Sequence, residues 1–171
     1  MLAWNADATR MPYRMHSEYL RHLFLDNDLA EGRCMVGGKT VALTDIRPPI
    51  FTVGTTRDHV APWQSVYKIH LLTDTDVTFV LTTGGHNMGI VSEPGINKRS
   101  FQVLTKRATE PFADPDAWQA KAPRKQGSWW PEWVTWLRNR SGPLQTPPFM
   151  GAPKAGYGVI SEAPGTYVLQ A

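Results

Sequence analysis

PPIFTVGTTRDHVAPWQSVYKIHLLTDTDVTFVLTTGGHNMG, residues 48–89, holds two short apolar runs separated by one helical pattern. Pro48-Pro49 leads into Ile50–Gly54 (IFTVG), a continuous apolar run of the kind found in strands buried on both faces. The run stops at Gly54, and TTRDHVAP makes a polar turn. Pro62 opens the helical pattern WQSVYKIHLLT, with Trp63, Val66, Tyr67, Ile69 and Leu71 on or near one side. A second apolar run, Val77–Thr83 (VTFVLTT), then enters the glycine turn GGHNMG. Strand, turn, helix and strand in that order form a βαβ unit. This predicts an α/β fold with a parallel strand pair and a right-handed crossover.

Upstream, PYRMHSEYLRHLFLDNDL spaces Met15, Tyr19, Leu20, Leu23 and Phe24 three and four residues apart. That pattern predicts an amphipathic helix opened by Pro12 and ended by Asp26-Asn27-Asp28. Arg33–Val36 and Lys39–Leu43 flank Gly37-Gly38, a two-residue hairpin signal. Downstream of Val91 the periodicity fades. The exception is GSWWPEWVTWL, where Trp129, Trp130, Trp133, Trp136 and Leu137 fall on helical spacings. From Ser141 to Ala171 the prolines at 143, 147, 148, 153 and 164 predict an extended, wrapping tail.

The 171 residues have the length of one domain, and 42% apolar with 19% charged residues exclude a disordered or collagen-like chain. A single cysteine excludes a disulfide framework and a cysteine-based zinc site. No window reaches the ~18 apolar residues of a membrane span, and the start MLAWNADATR lacks a secretory apolar core. A soluble cytoplasmic protein is expected. The net charge of +3 is too small to argue for nucleic acid. It is uneven, however: residues 98–171 carry ten basic and five acidic side chains. These read as a solvated basic face, or as attraction for a phosphate-bearing ligand.

Ligands of parallel α/β sheets bind beyond the carboxyl ends of the strands. Two ionisable residues lie just past such ends, Asp58 after IFTVG and His86 after VTFVLTT. Their order matches the acid and histidine of an α/β-hydrolase triad, in which the carboxylate fixes the imidazole tautomer and the imidazole deprotonates a nucleophile. Asp58 alone could instead cap the following helix, and His86 between Gly85 and Gly89 could be a turn residue. His59 either shapes the turn or supports the site. His16, His22 and His70 read as structural helix residues. No G-x-[S/C]-x-G elbow occurs, so no nucleophile is assigned. Cys34 stands beside the hairpin turn and Ser17 inside a helix, both in the wrong context. No His, Asp, Glu or Cys grouping has metal-ligand spacing, so no metal is assigned.

RDHVAPW, FVLTTGGHNMGIVSEPG and GSWWPEWVTWL, preceded by WNADATRMPYRMHSEYLRHLFLDNDL and followed by APGTYV, resemble the C-terminal part of poly(3-hydroxyalkanoate) polymerases. The resemblance runs in order over nearly the whole chain. It implies the C-terminal portion of an α/β-hydrolase fold: a partial parallel sheet, flanking helices and a Pro/Gly-rich wrapping tail. Residues 1–29 would be the end of a cap region and its following helix. Residues 30–91 would be the core with the acid and histidine turns, and residues 92–171 the Trp-rich helix and tail. The family's acid falls on Asp58, its general-base histidine on His86, and its usual neighbouring histidine on His59. The implied substrates are (R)-3-hydroxyacyl-coenzyme A thioesters and a growing polyester, with no separate cofactor, at cytoplasmic polyester granules.

The family's cysteine box, oxyanion-hole segment and early strands have no counterpart in these 171 residues. The resemblance therefore implies a fragment that is inactive alone, self-associating through an uncovered strand edge. Alternatives are the C-terminal half of a split synthase, or a non-catalytic module binding granules or a synthase subunit through the tryptophans.

Overall fold

A computed structural model of the chain describes residues 10–95 and 98–166. Most of the WNADATR stretch and the final residues of APGTYV lie outside the described residues. The chain divides into two units, Met1–Leu137 and Arg138–Ala171.

In the first unit, helix α1 (Tyr13–Tyr19) runs on into a π-helical turn at Leu20–Leu25. It stops where Asn27 takes a left-handed conformation, φ 51°. No residue of this helix is buried. Strands β1 (Cys34–Val36) and β2 (Lys39–Val41) pair antiparallel across Gly37-Gly38, as the hairpin signal predicts.

The main sheet has four strands in chain order: β3 (Ile50–Thr55), β4 (Val77–Thr82), β5 (Ser100–Lys106) and β6 (Arg124–Gln126). β3 and β4 are parallel, as the βαβ reading requires. Two short helices connect them, α2 (Trp63–Tyr67) and α3 (Ile69–Leu72), instead of one continuous helix. β4 is buried along its whole length, whereas Ile50–Val53 of β3 are only half-buried. The difference follows from position. β4 has a strand on each side, and β3 is the sheet's edge among the described residues.

Beyond β4 the sheet is antiparallel, so the partial parallel sheet that was expected is confined to the β3–β4 pair and the whole sheet is mixed. The chain returns from β4 to β5 through an irregular connection, without the helical crossover that a parallel neighbour needs. Helix α4 (Pro115–Lys121), capped by the Asp114 carboxylate on the Ala117 amide at 2.9 Å, precedes β6. Helix α5 (Trp130–Arg138) carries Trp130, Trp133 and Trp136 of the predicted helix, with Trp129 just ahead of its first residue.

Alternation along β4 divides the core. Phe79 and Leu81 pack with Trp63, Tyr67, Trp118 and Ala122 on one face. Val80 packs with Phe101 and Trp129 on the other. The second unit has little regular structure, a 3₁₀ turn at Pro153–Ala155 enclosed by an Ala152–Tyr157 bridge.

Candidate active site

Register places the site. Thr55 lies opposite Thr82, so β3 and β4 end together and their following turns emerge at one sheet edge. Backbone pairing continues past the strands. The Thr56 amide donates to Thr82 O at 2.9 Å, and the Arg57 amide to Gly84 O at 2.9 Å. The two turns are thereby tied before Asp58 or His86 is reached.

The tie delivers Asp58 to His86, with Oδ2 2.9 Å from Nδ1. The other Asp58 oxygen accepts the Val60 and Ala61 amides at 2.9 and 2.8 Å. Asp58 therefore organises its own turn and does not cap α2, whose Pro62 start has no side-chain cap. The Ala61 amide, with the His86 ring and the Val60 amide, holds the Asp58 carboxyl below the usual carboxylate range against the desolvation of its site. An ionised carboxylate only accepts, so Nδ1 of His86 is the donor. Nε2 is left to exchange a proton with a partner. The Asp58 side chain is 8% exposed and that of His86 47%, so the carboxylate is covered and the imidazole accessible.

The histidine turn is built on close approaches. A Cβ on Gly89 would lie 2.5 Å from Thr55 Cγ2 at the end of β3. Gly84 has φ 124°, and its Cβ would meet the Arg99 guanidinium at 2.5 Å and Gly89 Cα at 2.8 Å. A larger residue at 89 would push the turn, and His86 with it, away from β3, and one at 84 would strain the backbone and crowd Gly89 within the turn.

His59 lies exposed on the acid turn and takes no part in the Asp58–His86 bond. Cys34 is half-buried in β1 and lines a cavity of about 420 Å³ beside α1, whose walls include Met15, Tyr19, His22 and Leu23 but neither Asp58 nor His86. Ser17 lies within α1. Of the basic residues after 97, Arg107 pairs with Asp76 and Lys125 with Glu132.

Two features have no signal in the sequence pattern. His22, read as a helix residue without a partner, places Nδ1 2.7 Å from Asp28 Oδ2, and Arg33 Nε reaches Asp28 Oδ1 at 3.1 Å. His22, Asp26 and Asp28 come together within 4.8 Å, but the Asp28 carboxylate is already engaged on both oxygens, one by a guanidinium. The second feature is that Ser128, Trp129 and Trp130 donate to carbonyls of the histidine turn. Their acceptors are backbone carbonyls, so the spacing of side chains carries no trace of them.

The chain is 41% identical over 170 residues to the poly(3-hydroxyalkanoate) polymerase subunit PhaC of Rhizobium meliloti, a match covering 98% of this chain. The chain is a homologue of one segment of the poly(3-hydroxyalkanoate) polymerases. Polymerase 2 of Ectopseudomonas oleovorans is 38% identical over 99% of the chain, and the PhaC subunit of Cupriavidus necator 37% over 98%. The matches span only 26%, 29% and 28% of those three polymerases. No family model matches the chain. Among the described residues of this polymerase homologue, no helix is long and apolar enough to cross a membrane.

Proposed function

We propose that the chain is the C-terminal portion of an α/β-hydrolase-fold polyester synthase, supplying acid and base to a cysteine outside these 171 residues. The observation that carries this reading is the Asp58–His86 bond at the paired ends of β3 and β4, in a chain homologous to polymerases throughout.

In the proposed reaction, His86 Nε2 takes the thiol proton and the thiolate attacks the thioester carbonyl of a 3-hydroxyacyl-coenzyme A. Asp58 stabilises the imidazolium that forms. Collapse of the tetrahedral intermediate breaks the carbon–sulfur bond to coenzyme A, which leaves with the proton returned by His86. The acyl group remains on the cysteine for transfer to a polyester hydroxyl, and no cofactor is consumed. The substrate identity and a granule location rest on the likeness to the polymerases.

Purified alone, the chain should release no coenzyme A from (R)-3-hydroxybutyryl-coenzyme A above the buffer rate. Co-expressed with the remaining part of a related polymerase, it should co-purify and give release that His86→Ala abolishes. Release by the isolated chain, or failure of the two parts to associate, would count against the reading.

A further inference from the structure

We propose that Ser128, Trp129 and Trp130 form a positioning clasp that holds the His86 turn in register with Asp58, a role resting on the reading of His86 as the base. Residues 84–92 leave the sheet, so the backbone carbonyls of this turn lack strand partners and need donors from elsewhere. Internal bonds close the turn: the Gly89 amide to Gly85 O, and the Val91 amide to Asn87 O, both at 2.9 Å. Three carbonyls just beyond His86 are met by consecutive side chains of one motif. Trp129 Nε1 donates to Gly89 O at 3.2 Å, Trp130 Nε1 to Ile90 O at 2.9 Å, and Ser128 Oγ to Ser92 O.

The donors are anchored. Trp129 is 6% exposed, packs with Val80 and Phe101, and stacks on Phe51 of β3 with ring centres 6.2 Å apart. Ser128 Oγ also accepts the Trp130 amide at 3.0 Å, fixing the start of α5 relative to the turn. On the other side Gly89 rests against Thr55, which belongs to the strand that leads to Asp58. The turn is thus gripped between the tryptophan motif and the end of β3, and both grips refer back to the strand carrying the acid. Packing alone would use the rings. The three aimed donors give the serine and the two adjacent indoles a role beyond packing.

Trp130→Phe keeps a ring and removes the donor, and Ser128→Ala removes the hydroxyl. Trp133→Phe is the control, since Trp133 is 41% exposed, donates to none of the three carbonyls, and as phenylalanine keeps a ring against Trp129. A neutral hydrogen bond contributes roughly five- to tenfold to a local opening equilibrium. Hydrogen-exchange mass spectrometry of the 171-residue chain should therefore show a peptide over residues 84–92 exchanging about five- to tenfold faster in Trp130→Phe and Ser128→Ala. Peptides from β4 and β5 should stay at their wild-type rates, and Trp133→Phe should change nothing. In a full-length polymerase carrying this segment, Trp130→Phe should lower kcat by about fivefold with KM unchanged. Unchanged exchange over 84–92, or acceleration spread equally over β4 and β5, would overturn the clasp. The exchange measurement needs no catalysis, whereas His86→Ala in the same polymerase tests the base itself, so the two failures are distinguishable.

Discussion

Asp58 and His86 stand 28 residues apart in the chain and 2.9 Å apart in space, one after each of two parallel strands that end in register. The bond uses Nδ1 and leaves Nε2 free for chemistry. Its other half is the Asp58 oxygen that holds the Val60 and Ala61 amides, so the carboxylate is fixed at both ends.

That division of labour makes Asp58→Asn informative. The amide oxygen can still accept from Val60 and Ala61, which preserves the turn. The amide nitrogen cannot accept from His86 Nδ1, so the imidazole loses the tautomer that leaves Nε2 ready for a proton. In a polymerase carrying this segment, coenzyme A release should fall by about 10²–10⁴-fold while the urea midpoint of unfolding changes little. A variant retaining most of its rate would show that the pair is structural.

Acid sensitivity should come largely from His70. Its ring is 5% exposed and packed against Tyr67 and Phe79, with neither nitrogen hydrogen-bonded. Burial, reinforced by the charge of Lys106, pushes it down to about 4. A group that binds its proton more weakly when folded costs stability as pH falls from its unfolded value near 6.5 towards 4, about 3 kcal/mol in all. Asp58, whose carboxyl is held low, adds a loss at still lower pH. Urea midpoints measured from pH 7.5 to 4 should show this slope, and His70→Leu should flatten it between 6.5 and 4. An unchanged slope in that variant would refute the assignment.

Self-association is expected of the chain by itself. The outer edge of β3 has no strand partner among the described residues. The helix at 13–25 exposes Tyr13 at 86%, Phe24 at 71% and Leu25 at 73%. Unpaired strand edges and contiguous apolar surface promote pairing with other chains. Sedimentation should show concentration-dependent species larger than the 19.2 kDa chain. A monomer across the accessible concentration range would contradict this.

What the sequence revealed follows from how each element is buried. Ile50–Gly54 and Val77–Thr83 are apolar runs broken only by threonine, the first entered from proline and each running into glycine, so the parallel pair and the turns beyond it were legible. Asp58 and His86 were legible for the same reason, since each lies just past a run. Ser100–Lys106 was not. Phe101 and Val103 pack on one side of the sheet and Leu104 on the other, so neither an alternating nor a continuous pattern emerges. The antiparallel half of the sheet was lost with it. The donors from Ser128, Trp129 and Trp130 meet backbone carbonyls, which leave no trace in side-chain spacing. The His22–Asp28 pair depends on a reversal at Asn27 that helical periodicity does not encode.

The most direct test of the central claim replaces the matching segment of the Rhizobium meliloti polymerase, 41% identical, with this chain. Coenzyme A release from (R)-3-hydroxybutyryl-coenzyme A is then measured with and without His86→Ala. Release by the chimera, abolished by that substitution, is the predicted result. A folded chimera whose release survives His86→Ala would contradict the account.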